Sequence, residues 1–96
     1  MRKKQTPETM IKQQVKDILD LKGWFHFPIM QGMGSYSGLP DRIAIKDGIV
    51  LFVECKAPGG HMSAAQEKFL ENVRSQLGHY VVVSDVDNFI EYLKIF

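Results

Sequence analysis

Asp41, Glu54 and Lys56 are the residues of this 96-residue chain whose types and spacing could do chemistry together. Between the two acids lies Asp47-Gly48, the strongest short-range signal for a two-residue hairpin turn, flanked by the β-type runs Asp41 to Lys46 and Ile49 to Lys56. If Asp47-Gly48 is the whole turn, Lys46 faces Ile49, Ile45 faces Val50, Ile43 faces Phe52 and Asp41 faces Glu54. Opposed residues project from the same side of a sheet with Cβ atoms ~5 Å apart, and Lys56, two beyond Glu54, shares that side. One face then reads Ile43, Ile45, Val50 and Phe52, ending in Asp41, Glu54 and Lys56. Like charges directly opposed in a sheet repel, and Lys56 offsets only part of the repulsion. A divalent cation between the acids would relieve it, because hard oxygen donors are what magnesium requires. The competing explanation is an ion-paired, solvated hairpin end.

A cation so held makes water a stronger acid and offsets charge developing on a phosphoryl oxygen. An ammonium beside it can orient the attacking hydroxide or steady the oxyanion. Neither histidine nor a serine nucleophile is needed, so the trio suits metal-assisted phosphodiester hydrolysis.

The elements that must position these groups are legible around them. Thr6-Pro7-Glu8 reads as a helix start, with a hydroxyl cap, proline at the first position and a carboxylate in the first turn. Ile11, Val15, Ile18, Leu19 and Lys22 keep helical spacing up to Gly23. Trp24 to Ile29 predicts a first strand that Pro28 confines to an edge or an end. Residues 31–38 form a glycine- and serine-rich loop whose spacing is wrong for nucleotide phosphates. After the hairpin, Ser63 caps a second helix with Ala65, Phe69, Val73 and Leu77 on one face, stopped by Gly78. His79 to Ser84 predicts a fourth strand buried on both faces, and a last helix runs from about Val86 to Lys94. The order is α-β-β-β-α-β-α. The strand–helix–strand step requires a right-handed crossover and a parallel pair, hence an α/β fold with a mixed sheet.

Composition narrows the class. The length fits one domain, residues 1–96, without linker or repeat. Hydrophobic residues at 45% and charged residues at 24% exclude disorder and collagen-like sequence. The apolar run Ile49 to Val53 is far short of the ~20 residues that span a bilayer, so no membrane is expected. The basic leader is followed by Thr6-Pro7-Glu8-Thr9 instead of an apolar stretch, so no secretory signal is read. A single cysteine excludes a disulfide framework and a cysteine-based zinc site, which fits a reducing, cytoplasmic location. A net charge of +1 leaves only local contacts with polyanions. Arg2, Lys3, Lys4, Lys12 and Lys16 crowd the first helix and its leader, as a solvated face or as a phosphate-contacting edge.

Gly38-Leu39-Pro40-Asp41, Glu54-Cys55-Lys56 and Ser63 with Gln66, taken with the hairpin spacing and the glycine-rich loop, resemble the virus-type replication-repair nuclease (VRR-NUC) family of the PD-(D/E)xK superfamily. The resemblance runs from the Glu8 helix through the Val81 strand and implies a restriction-endonuclease-like core with a four-stranded sheet flanked by helices. It implies that Asp41 and Glu54 ligate magnesium or manganese with the backbone carbonyl of Cys55, and that Lys56 is the catalytic lysine. Glu8 would reach the metal through water, although it equally suits the positive end of its helix. Gln66 would sit beside the site, although three residues after Ser63 it also completes a capping box. The Cys55 thiol alternates away from Glu54 and Lys56 and is expected in the core. Lys12, Lys16, Tyr36 and His61 are candidate nucleic-acid contacts, Tyr36 by stacking on a base. The family further implies a DNA endonuclease of phage or prophage type, acting as a homodimer on branched DNA such as four-way junctions or flaps. Nonspecific nicking of DNA or RNA, or a non-catalytic binding module, are the alternatives.

Overall fold

Thr6 caps α1 (Pro7–Leu21): its Oγ1 accepts from the backbone N–H of Thr9 at 3.2 Å, with Pro7 at the first helical position. The computed structural model describes residues 6–96, so Arg2, Lys3 and Lys4 lie outside the described residues. Ile11, Val15 and Leu19 form the buried stripe of α1, and Gly23, at φ +80°, turns the chain into β1 (Phe25–Pro28). β2 (Arg42–Lys46) and β3 (Ile49–Cys55) follow. Asp47 and Gly48 take φ of 51° and 80°, the two positive values that a tight hairpin turn demands. The register is the one the turn predicts, from Lys46–Ile49 through Ile45–Val50 and Ile43–Phe52 to Arg42–Val53.

α2 (Ala64–Ser75) carries the chain over to β4 (His79–Val83), parallel to β3, and α3 (Val86–Leu93) closes the order. The sheet runs β1-β2-β3-β4, antiparallel except for its last pair, which is the mixed α/β arrangement expected from the sequence. No helix among the described residues is long and apolar enough to cross a membrane.

The two sides of the sheet are covered unequally. Ala44, Leu51, Val53 and Cys55 point towards α1 and α3 and pack with Val15, Leu19, Phe89 and Leu93 into the buried core. On the opposite side, α2 lays Phe69 against Phe52 and Tyr80, with ring centroids 5.4 and 6.2 Å apart. The β1–β2 half of that side stays open. Phe25 is 66% exposed and Val50 41%.

Two elements differ from the sequence expectation. The valines of β4 do not make a strand buried on both faces: among the described residues β4 is an edge strand paired with β3 alone, and Val82 is 37% exposed. Its alternate side chains meet two layers of unequal cover, so only Tyr80 and Val83 are fully enclosed. Leu77 does not extend the apolar face of α2. The helix ends at Ser75, because the Gly78 N–H returns to the Val73 carbonyl at 2.9 Å and Gly78 packs on Val73, forcing Leu77 to φ 60° and 89% exposure.

Candidate active site

Asp41 stands one residue before β2, in the bend after Pro40, so Asp41 and Glu54 are not a rung of the ladder, which ends at Arg42–Val53. The departure has a local cause. The Asp41 carboxylate itself takes the next backbone donor of β3, its Oδ2 accepting from the Cys55 N–H at 2.7 Å. Meanwhile its carbonyl accepts from the Ile29 N–H at 2.9 Å. The side chain is thereby pinned beside Glu54 by a bond shorter and firmer than strand pairing would give. The approach to Asp41 is fixed by Gly38, at φ +83°. A Cβ there would lie 2.2 Å from the Ala65 carbonyl oxygen, so the loop touches the first turn of α2 in a way that only glycine permits.

Glu54 is the one buried charged side chain among the described residues, 2% exposed. The Lys56 Nζ lies 3.9 Å from its Oε1, and the Gln66 side-chain amide donates to its Oε2 at 3.4 Å. Gln66 meanwhile completes the capping box: its Oε1 accepts from the Ser63 N–H at 2.9 Å, while Ser63 Oγ accepts from the Gln66 N–H at 3.1 Å. Gln66 thus plays both roles at once. Its amide oxygen closes the helix and its amide nitrogen faces Glu54. Burial, and secondarily the neighbouring Asp41, push the Glu54 carboxyl up to about 8.

Lys12 completes the cluster from α1, its Nζ 3.6 Å from Asp41 Oδ1 and 3.7 Å from Glu8 Oε2. Burial disfavours the charged ammonium, but Asp41 and Glu8 outweigh it and hold Lys12 above its ordinary value. Lys12, half-exposed, faces the carboxylates. Glu8, partly exposed, is joined to Asp41 through that lysine. The Cys55 side chain points into the core, and burial, with Asp41 nearby, pushes its thiol up to about 12, which leaves it inert.

Among the described residues no group of three or more His, Cys, Asp and Glu side chains gathers as a metal cage. What the corner offers is two hard carboxyl groups, Asp41 and the buried Glu54, beside the main chain of Cys55. That set fits magnesium or manganese, which bind through one or two carboxylates and keep several waters.

The remaining candidates are dispersed. Tyr36 is exposed but rests edge-on against Phe69, ring centroids 5.8 Å apart, on the far side of α2's aromatic cluster. His61 is exposed in the loop between Lys56 and Ser63, without a hydrogen bond or ion pair among the described residues. Lys16 lines a cleft of about 350 Å³ together with Lys12, Asp41 and Arg42. Two residues escaped the sequence reading. Arg42, adjacent to Asp41, enters the same cleft. Tyr80 is buried on the Glu54 side of the sheet, its hydroxyl without a partner among the described residues and held above its ordinary value by burial, with Glu54 and Asp41 adding to the shift. Pairing Tyr80 with Phe52, two residues before Glu54, was the signal that could have found it.

No protein-family model matches the sequence. Over 50 residues it is 46% identical to "Putative nuclease p44" of Acyrthosiphon pisum secondary endosymbiont phage 1, covering 50% of this chain and 52% of that protein. The chain therefore spans about half the length of the curated relative it matches. A solved structure described as "VRR_NUC domain" superposes with a TM-score of 0.79 at 25% identity, covering 91% of this chain and 97% of the other. The chain has the VRR-NUC fold. The VRR-NUC resemblance read from Gly38-Leu39-Pro40-Asp41 and Glu54-Cys55-Lys56 is borne out, and with it the restriction-endonuclease-like α/β class. Both comparisons support a nuclease, and the relative carrying that name is a phage protein.

Proposed function

We propose that this VRR-NUC chain is a divalent-metal-dependent DNA endonuclease, and that branched DNA such as a four-way junction or a flap is its substrate class. The observation that carries the reading is the corner itself: two carboxylates, one 2% exposed, with a lysine 3.9 Å away and, among the described residues, no histidine or serine hydrogen-bonded to them. Burying like charges together is costly for stability, and the cost is understandable where a cation and a phosphate are to be held.

Asp41 and Glu54 would hold magnesium or manganese, with the Cys55 carbonyl as a further ligand and Glu8 reaching through water. When bound, the ion supplies positive charge against the phosphoryl oxygens and makes water a stronger acid. The chain's own groups do the positioning. The Cys55 N–H occupies Oδ2 of Asp41 and keeps its other oxygen turned to the cleft. Gln66 steadies the Glu54 carboxylate. The Lys56 ammonium, half-buried beside Glu54, can donate to an attacking water or to the phosphoryl group as its charge grows. Lys12 balances Asp41 and Glu8, and once a cation balances them its ammonium is free to meet a phosphate. Lys16, in the same cleft, is placed for a neighbouring phosphate, and the exposed faces of Tyr36 and His61 remain available to substrate.

Cutting both strands of a branch calls for two sites, and a homodimer of single-domain subunits supplies them. The open side of β1 and β2 supports this: Phe25, Phe27, Ile43, Ile45 and Val50 share one apolar surface that α2 leaves uncovered.

The test is a cleavage panel on matched linear, flapped and four-way DNA, in magnesium and in chelator, with native mass measured alongside. Asp41→Asn and Lys56→Ala should each lower cleavage by about 100-fold or more. Cutting that persists in chelator or in Asp41→Asn sinks the metal site. Equal rates on all three DNA forms sink the branch preference.

A further inference from the structure

We propose that Arg42 is a phosphate-binding residue for the nucleic-acid strand running past the carboxylates, and that His26 and Asp20 are the positioning residues that hold it ready. The proposal rests on the nuclease reading for its substrate class, but on different residues for its geometry.

Arg42 and Ala44 project from the same side of β2, and His26 lies directly opposite Ala44 on β1, so all three are on the side that α1 covers. The Arg42 Nη1 lies 2.9 Å from His26 Nδ1, and His26 Nε2 is hydrogen-bonded to the Asp20 carboxylate near the end of α1. A guanidinium has no lone pair to offer, so Nδ1 must accept. Nε2 therefore carries the ring hydrogen and donates it to Asp20. One tautomer is fixed, and the imidazole, its side chain 6% exposed, becomes a rigid spacer between an anion and a cation.

That spacer has an electrostatic consequence. Asp20 orients Arg42 without touching it, and among the described residues neither Arg42 nor Lys16 forms an ion pair with a carboxylate. Lys12, by contrast, is engaged with Asp41 and Glu8. The cleft of about 350 Å³ beside Asp41 is thus lined by two cations without carboxylate partners among the described residues. Arg42 spends one N–H on His26, and the rest of its planar fork matches the two free oxygens of a phosphodiester. Being the immediate neighbour of Asp41, it would grip a phosphate flanking the one that is cut. A plain structural role would be to tie the end of α1 to β1 and β2, and the two roles differ in their dependence on salt.

The experiment measures binding of a labelled flapped DNA oligonucleotide in chelator, where the intact protein can be titrated without cutting, at several salt concentrations. It also measures cleavage in magnesium and the melting temperature of each variant. Removing one phosphate contact should reduce the slope of log affinity against log salt by roughly 0.7–0.9. Arg42→Gln should show that loss and bind about 10-fold more weakly, with KM raised more than kcat is lowered. Arg42→Lys should keep the slope while binding a few-fold more weakly. His26→Ala should also keep the slope, since the charge remains, and lose part of the affinity. If Arg42→Gln binds with unchanged affinity and slope, or only melts earlier, the proposal is overturned whether or not the protein cuts DNA. If the wild type cuts nothing yet its binding shows the Arg42-dependent slope, the phosphate site stands and the nuclease reading falls. Absence of both binding and cutting by the wild type defeats both.

Discussion

The two sides of the sheet are made from the same strands and have different tasks. Towards α1 and α3, Ala44, Leu51 and Val53 are wholly enclosed. Towards α2, the alternate residues Ile43, Ile45, Val50 and Phe52 are only partly covered, and Phe25 beside them faces outward. Stability is concentrated on the first side, while the second leaves apolar surface uncovered. The charged corner sits where both sides end. Asp41 is met from α1 by Lys12, and Glu54 is met from α2 by Gln66, so each carboxylate is positioned by a different layer.

The largest effect that would sharpen this contrast is in the core. Leu51→Ala should cost about 2–5 kcal/mol in urea unfolding, against less than about 1 kcal/mol for Val50→Ala one residue away. Similar losses at both positions would break the distinction between the two sides.

A second test turns on Glu54. Its carboxyl is held at about 8 in the fold against an ordinary 4.5, so the folded chain favours the protonated form. The associated stability is complete below about pH 4.5 and is lost as pH rises through 8. In chelator, the melting temperature of the wild type relative to Glu54→Gln should therefore fall between pH 5 and 8.5, and magnesium at the alkaline end should restore it. A pH-independent difference would mean that Glu54 titrates as an ordinary carboxylate.

Smaller still, Ser63→Ala removes the cap of α2 and should cost about 1 kcal/mol. It should also lower cleavage, because the same capping box holds Gln66 towards Glu54. Loss of stability with full activity would separate the cap from the site. Least disruptive of all, Phe25→Ser should change monomer stability by no more than about 0.5 kcal/mol while shifting the native mass to that of a monomer. A dimer that survives it uses another surface.

Much of this arrangement is legible in the sequence because its causes are local. Asp47-Gly48 dictates a turn, the turn dictates the register, and the register brings residues 41 and 54 to the same end of the hairpin. Thr6-Pro7 and Ser63-x-x-Gln66 announce their helices by the donors they satisfy. What escaped the reading depends on neighbours distant in sequence. Whether Val82 is covered depends on where β4 joins the sheet, and three valines in a row carry no such information. Glu8 and Lys12 are visibly one helical turn apart, but that Lys12 also reaches Asp41 follows from how α1 crosses the sheet. The Asp20–His26–Arg42 line is tertiary in the same sense, joining the end of a helix to two strands.

Gly38 joins two stretches of chain that the sequence keeps far apart, since the backbone before Asp41 rests directly on the helix that carries Gln66. Everything upstream of that weld, back to Ile29, loops out between two anchored points. Within this span Gln31 is tied to the Leu39 carbonyl and Tyr36 rests on Phe69, so exchanges at its other exposed residues should leave the carboxylates in place. The span is therefore the natural place for related chains to acquire different tastes in substrate, and for an engineer to graft a new one.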